Sequence, residues 1–185
     1  QSRSSAASDV YKRQLLDKLV EMGGNIQVSN FSSFGKEPVA DINVKSSVLY
    51  SCEVTSDDVP NLIDELPILF IASSFAKGIS RFNEIEELKH KESNRLKAMQ
   101  EGLDKMKIKN FLDGNVFCIK GMGKDYKSPN FLAETYYDHR IAMSFAIAGL
   151  NSSSSIEIAS PESINTSFPE FIDLGNRLGC NFEVS

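Results

Sequence analysis

Asp64-Glu65-Leu66-Pro67-Ile68-Leu69-Phe70-Ile71-Ala72-Ser73-Ser74-Phe75-Ala76-Lys77-Gly78 reads as a helix that is apolar almost all round. Proline lacks an amide N–H and is tolerated only in the first turn, so Pro67 puts the helix start near Asp64. A helix apolar on every side is surrounded by protein. A short strand over 79–82 follows. The phrase then recurs. A shift of 74 residues sets Asp64 over Asp138, Ala72 over Ala146 and Phe82 over Ile156. Each copy reads as a capping Asp, a buried helix, a short strand, a second helix and a strand. A doubly wound sheet would carry its longest apolar runs in its strands. Here they fall in helices, which predicts a mixed α/β (α+β) class with sheets and helices layered around an interior of helices.

The flanking segments repeat a shorter phrase. Residues 15–22 read as a helix closed by Gly23-Gly24, followed by a strand over 25–28. The same wording returns at 103–108 and at 176–184. Residues 128–136 are polar and contain Pro129, and read as a loop leading into Asp138. Gly121-Met122-Gly123-Lys124 lacks the spacing of a phosphate-binding P-loop. Residues 1–14 are Ser-rich and without period, and resemble adaptor read-through. They are expected to be a non-native or disordered leader, with 15–185 forming the folded part.

Two stretches put positive charge where helices begin. Lys91-Glu92-Ser93-Asn94-Arg95 precedes Leu96, Met99, Leu103 and Met106, whose spacing forms one apolar face. Lys91 and Arg95, four apart, are expected to share the first turn on the opposite side. Asp138 reads as the N-cap of a second helix, with His139 and Arg140 in its first turn. A helix start carries about half a positive charge and favours acids. Cations there break a local rule, as functional sites do. An anion gripped by side chains and free N–H groups would resolve the breach. The plainer reading makes Lys91, Arg95 and Arg140 solvated charges or partners of Glu86, Glu87 and Asp138.

Composition narrows the rest. The 185 residues are 41% hydrophobic and 24% charged, with a net charge of −5. Interleaved charge leaves no basic stripe for a nucleic acid. No apolar run approaches the ~20 residues that span a bilayer. Cys52, Cys118 and Cys180 are scattered, and the histidines are His90 and His139. A disulfide framework, a zinc site or another metal centre is not expected, and reduced thiols suit a cytoplasmic location.

Two carboxylates stay ambiguous on these grounds. Asp64 is either a helix cap or a partly desolvated base. Glu92 is either an ion-pair partner of its neighbours or a proton donor to a ligand they hold.

At this point the motifs resemble a known family. Leu-Lys-His-Lys-Glu-Ser-Asn-Arg-Leu (88–96) is similar to the Lys-Glu-Ser/Thr-Asp-Arg signature of 5-enolpyruvylshikimate-3-phosphate synthases. Tyr-Tyr-Asp-His-Arg-Ile-Ala-Met (136–143) resembles their Asp-His-Arg signature. Ile-Asp-Glu-Leu-Pro-Ile-Leu (63–69) and Ile-Asn-Thr-Ser-Phe-Pro-Glu-Phe (164–171) match two further segments in order. The resemblance implies repeated βαβαββ units with buried helices, in an inside-out α/β barrel of the enolpyruvate transferase type. One such domain would be present here, incomplete, with its partner domain outside the chain.

The implied reaction moves the enolpyruvyl group of phosphoenolpyruvate to the 5-hydroxyl of shikimate 3-phosphate and releases phosphate, with no organic cofactor or metal. By motif, Asp64 would be the base at the shikimate hydroxyls. Lys91 would bind shikimate 3-phosphate near the reacting centre. Glu92 would protonate the methylene carbon. Arg95 and Arg140 would grip phosphoenolpyruvate with His139 beside it, the planar guanidinium suiting two-point contact. Thr166 stands where one branch of the family has a lysine, Asn94 replaces a common Asp, and the role of Glu87 stays open. The resemblance implies a monomeric full-length enzyme and no turnover by this stretch alone. The competing readings are a non-catalytic anion-binding domain and an RNA-processing relative, the latter disfavoured by acidity.

Overall fold

In the computed structural model, residues 13–35 and 37–184 are described. Of the leader expected over 1–14, residues 1–12 lie outside the described residues, while Arg13 and Gln14 begin the first helix. That helix, α1 (Arg13–Glu21), is followed by β1 (Asn25–Phe34) and β2 (Glu37–Lys45). α1 ends where Gly23 turns left-handed at φ 94° and Gly24 N donates to Leu19 O. The strand expected over 25–28 is longer than that. β1 and β2 pair antiparallel as a hairpin, with an irregularity between Ser29 and Ser32. Serines and Asn30 in 29–33 hid this strand from an apolar-period reading.

One full repeat comes next. It comprises β3 (Glu53–Val54), α2 (Val59–Leu62), α3 (Leu66–Ser74), β4 (Lys77–Phe82), a 3-10 turn Ile85–His90, α4 (Arg95–Lys105), β5 (Asn110–Asp113) and β6 (Val116–Met122). Its strands form one sheet in the order β3-β4-β6-β5. β3 and β4 run parallel, as a helical crossover requires, while β6 lies antiparallel to both β4 and β5. The order of elements is that of a βαβαββ unit. A second copy opens with β7 (Phe131–Ala133), α5 (His139–Gly149), β8 (Ile156–Ile158), a 3-10 turn Pro161–Thr166 and α6 (Phe171–Arg177). β7 and β8 are again parallel. The repeat extends to the backbone: Glu84 and Ser160, each just before its 3-10 turn, are both left-handed at φ near 50°.

Two expectations change here. Residues 128–136 are not wholly loop, because 131–133 pair with β8. The strand expected after α6 is not present among the described residues up to 184.

The apolar helices are the interior. Seven of nine residues of α3 are buried, and Phe70 meets Phe82 and Phe117 edge-on at 4.6 and 5.2 Å. α3 packs against α5, and α4 closes the group with Leu96, Met99, Leu103 and, just beyond its end, Met106, all buried. α4 and α5 approach closely because Gly102 has no side chain: a Cβ there would lie 1.9 Å from the Phe145 ring. Among the described residues the strands form three separate sheets on the outside, of two, four and two strands. The consequence for function is that α3, α4 and α5 begin near one another.

Candidate functional site

The starts of α3, α4 and α5 meet in a network of charge. Each start is built differently. Asn94 caps α4, its side chain accepting from Lys97 N at 3.0 Å, which makes Arg95 the first helical residue. Asp138 caps α5, its Oδ1 accepting from Arg140 N at 3.0 Å. Asp64 does not cap α3, which starts two residues later behind Glu65. The Asp64 side chain points to α4 instead. Lys91 also differs from expectation. It lies at the end of the 3-10 turn, in extended backbone before α4, and does not share a helical turn with Arg95.

Arg95 is the hub. Its side chain is 0% exposed. Nε donates to Asp138 Oδ2 at 2.8 Å, Nη1 to Asp64 Oδ1 at 2.9 Å, and Nη2 to Glu92. Asp138, equally buried, takes a further bond from Ser93 Oγ at 3.1 Å. One carboxylate therefore holds the guanidinium with one oxygen and starts α5 with the other. The periphery follows. Lys91 Nζ lies 2.6 Å from Glu87 and 3.6 Å from Asp64. Arg140 Nη1 donates to Asp64 O at 2.8 Å and to Glu65 at 3.3 Å.

Asp64, Lys91, Glu92, Arg95 and Arg140 are thus joined on one wall. His139 is the half-buried first residue of α5 next to Arg140. Thr166 ends the second 3-10 turn, its hydroxyl donating to Ser163 O at 2.7 Å. Glu65, Ser93 and the second role of Asp138 were not anticipated. The cap by itself accounts for an Asp at 138, and nothing along the chain marks the bond of its other oxygen to Arg95. The plainer reading of the cations also describes part of what is seen: Lys91 meets Glu87 and Arg95 meets Asp138, while Glu86 pairs with Lys89.

Electrostatics follow from this packing. Burial pushes the Asp64 carboxyl up, but Arg140, Lys91 and Arg95 together outweigh it and hold it below the ordinary value. Asp64 is therefore ionised at neutral pH. Lys91 is held above its ordinary value, first by its bond to Glu87, against burial and with help from Asp64. Burial works against the Arg95 cation, and Asp138, Glu92 and Asp64 more than restore it. Three cations face five carboxylates: Asp64, Glu65, Glu87, Glu92 and Asp138. Just before Asp138, Tyr136 and Tyr137 are both left-handed, at φ 53° and 60°. That conformation is costly for bulky side chains and is a mark of functional segments. The wall is open. A surface recess of about 310 Å³ lies elsewhere, beyond the C-terminal end of α3, lined by Val48, Lys77, Met122 and Lys124 among others.

A sequence model of the family described as EPSP synthase (3-phosphoshikimate 1-carboxyvinyltransferase) matches residues 6–174. The chain belongs to the EPSP synthase family. The match starts inside the 1–14 stretch and spans α1 through most of α6. A 3-phosphoshikimate 1-carboxyvinyltransferase of Ruthia magnifica subsp. Calyptogena magnifica is 40% identical over 172 residues, covering 92% of this chain and 39% of that protein. One from Zymomonas mobilis is 42% identical, covering 92% of this chain and 38% of its own length. The chain thus spans about two fifths of the curated relatives it matches. Among solved structures, EPSP synthase from Acinetobacter baumannii superposes with a TM-score of 0.90 at 38% identity, covering 98% of this chain and 42% of that one. The enolpyruvyl transferase NikO from Streptomyces tendae, at 16% identity and TM-score 0.57, shares the fold. The mixed α/β architecture with buried helices is the family's. No helix among the described residues is long and apolar enough to cross a membrane.

Proposed function

We propose that this chain supplies one wall of a site that transfers the enolpyruvyl group of phosphoenolpyruvate to the 5-hydroxyl of shikimate 3-phosphate, releasing phosphate. The observation that carries the reading is the convergence of Asp64, Lys91, Glu92, Arg95 and Arg140 at three helix starts, within a family whose relatives bear that activity in their names.

The roles are those that the family resemblance implies, and exposure and charge are compatible with them. Asp64, ionised and solvent-reachable, accepts the proton of the attacking 5-hydroxyl as the new C–O bond forms. Glu92, on the outer side of Arg95, gives a proton to the methylene carbon. The tetrahedral intermediate then loses phosphate, which carries off the proton held by Asp64, while its methyl group returns a proton to Glu92. Lys91 meets the phosphate of shikimate 3-phosphate, and Arg140 with His139 meets phosphoenolpyruvate. Arg95 is deeply placed, so it reaches a ligand only where Glu92 gives way, and it serves equally to hold Asp64 and Glu92 in place. Further cations come from the partner domain of the longer enzyme, since five carboxylates outnumber the three cations of this wall. By itself the chain has no turnover. The reading places the protein in the cytoplasm, as part of a monomeric enzyme.

A chimera tests this. Residues 15–185 replace the matching part of the Acinetobacter baumannii EPSP synthase, and phosphate release is followed with both substrates. The expected result is turnover, lost in K91M and in R140M with the melting temperature kept. A folded chimera without activity would refute the assignment. Activity unaffected by either substitution would leave only a non-catalytic reading of the wall.

A further inference from the structure

We propose that Glu87 is a counter-ion that competes with an anionic ligand for Lys91, and so sets how tightly this wall takes phosphate. The inference rests on the reading of Lys91 as an anion-binding residue. Two carboxylates share its ammonium: Glu87 at 2.6 Å and Asp64 at 3.6 Å. They are held very differently. Asp64 also accepts from Arg95, and its backbone oxygen is tied to Arg140. Glu87 has no second ion-pair or hydrogen-bond partner among the described residues, and 61% of its side chain is exposed.

The other carboxylates are less free to leave. Asp138 is buried, and Glu65 is mostly so. Glu92 covers a guanidinium that has no exposure of its own. Lys91, by contrast, keeps a partly exposed, rotatable point charge with three donors. A phosphate arriving at Nζ therefore meets Glu87 first, and Glu87 can swing into water with nothing else broken. Until it does, the surplus of carboxylates works against any dianion. Glu87 is in this sense a brake on affinity, adjacent to the site and outside the reacting groups.

The test titrates the 185-residue chain with inorganic phosphate at low ionic strength. Backbone amide signals of 91–97 are followed in wild type, E87Q, K91M, K91M/E87Q and the charge-matched E86Q. Glu86 faces Lys89 and carries the same formal charge, so it controls for net charge alone. E87Q is expected to bind phosphate about threefold more tightly, the scale of one exposed ion pair. E86Q is expected to match wild type, and K91M/E87Q to lose the gain. Equal affinity of E87Q and wild type, with K91M weakened, overturns the role of Glu87 and leaves Lys91 an anion-binding residue. Equal affinity of K91M and wild type overturns the reading beneath it. Phosphate that leaves the 91–97 amides unmoved in every variant overturns both.

Discussion

At the residue scale the decisive object is the buried Arg95–Asp138 pair. Removing one member of a buried pair strands the other, which costs about 3–5 kcal/mol. D138A also removes the cap of α5. It should therefore lower stability by about that amount in urea unfolding, while D138N, which keeps an oxygen for the cap, should lose less. A D138A chain as stable as wild type would contradict the hub. Asp64 makes a different prediction, about pH. Its folded pKa lies below the ordinary 3.8, so the ionised form favours the fold. That contribution is complete above the unfolded value and disappears as pH falls through the folded one. Stability measured from pH 7 downward should fall below about pH 4 in wild type, and D64N should flatten that limb. Parallel acid limbs in the two proteins would deny the shift.

At the element scale the contact that matters is between α4 and α5, because their starts carry Arg95 and Arg140. Gly to Ala inside a helix ordinarily stabilises by about 1 kcal/mol. At Gly102 the sign should reverse, since the new methyl group meets the Phe145 ring. Overpacking of this kind costs about 1–3 kcal/mol. G102A should lower the urea midpoint, and F145L in the same chain should recover part of the loss. A G102A chain more stable than wild type would show that the two helices can part without penalty. α3 and α4 were legible because burial wrote itself into them: the apolar run of α3, the Pro67 limit, and the face Leu96, Met99, Leu103, Met106. The second half of β1, all of β2 and β7 were not legible, since serines carry no period and a three-residue strand is recognised only by its partner.

At the scale of the whole molecule the hairpin β1–β2 is the weak surface. Val28 pairs with Ile42 and Ile26 with Val44, which sets these residues on one face. Phe31 and Phe34 are 68% and 81% exposed, and Val44 is 65% exposed. A long strand edge beside exposed apolar side chains invites pairing with another chain. In the repeat that follows, the corresponding strand, β6, has β4 along that edge, and among the described residues no strand pairs with that edge of β2. The 185-residue chain should sediment heavier than one copy as concentration rises, and I42K/V44K should restore the single copy. A monomeric wild type at high concentration would show that the edge is protected.

The amino-acid sequence by itself determined which helices would be interior, that α5 begins behind Asp138, and which side chains gather near the helix starts. It could do so because hydrophobic burial and helix capping are local in the chain and leave periodic or positional marks. The order Asp64, Lys91-Glu92, Arg95, His139-Arg140 was readable for that reason. Only the tertiary structure decided who pairs with whom. Arg95 chooses Asp138, 43 residues away, over the solvent. Asp64 turns from capping its own helix to receiving two cations from the next repeat element. Those choices depend on distances between helix starts, which packing sets and no spacing along the chain contains.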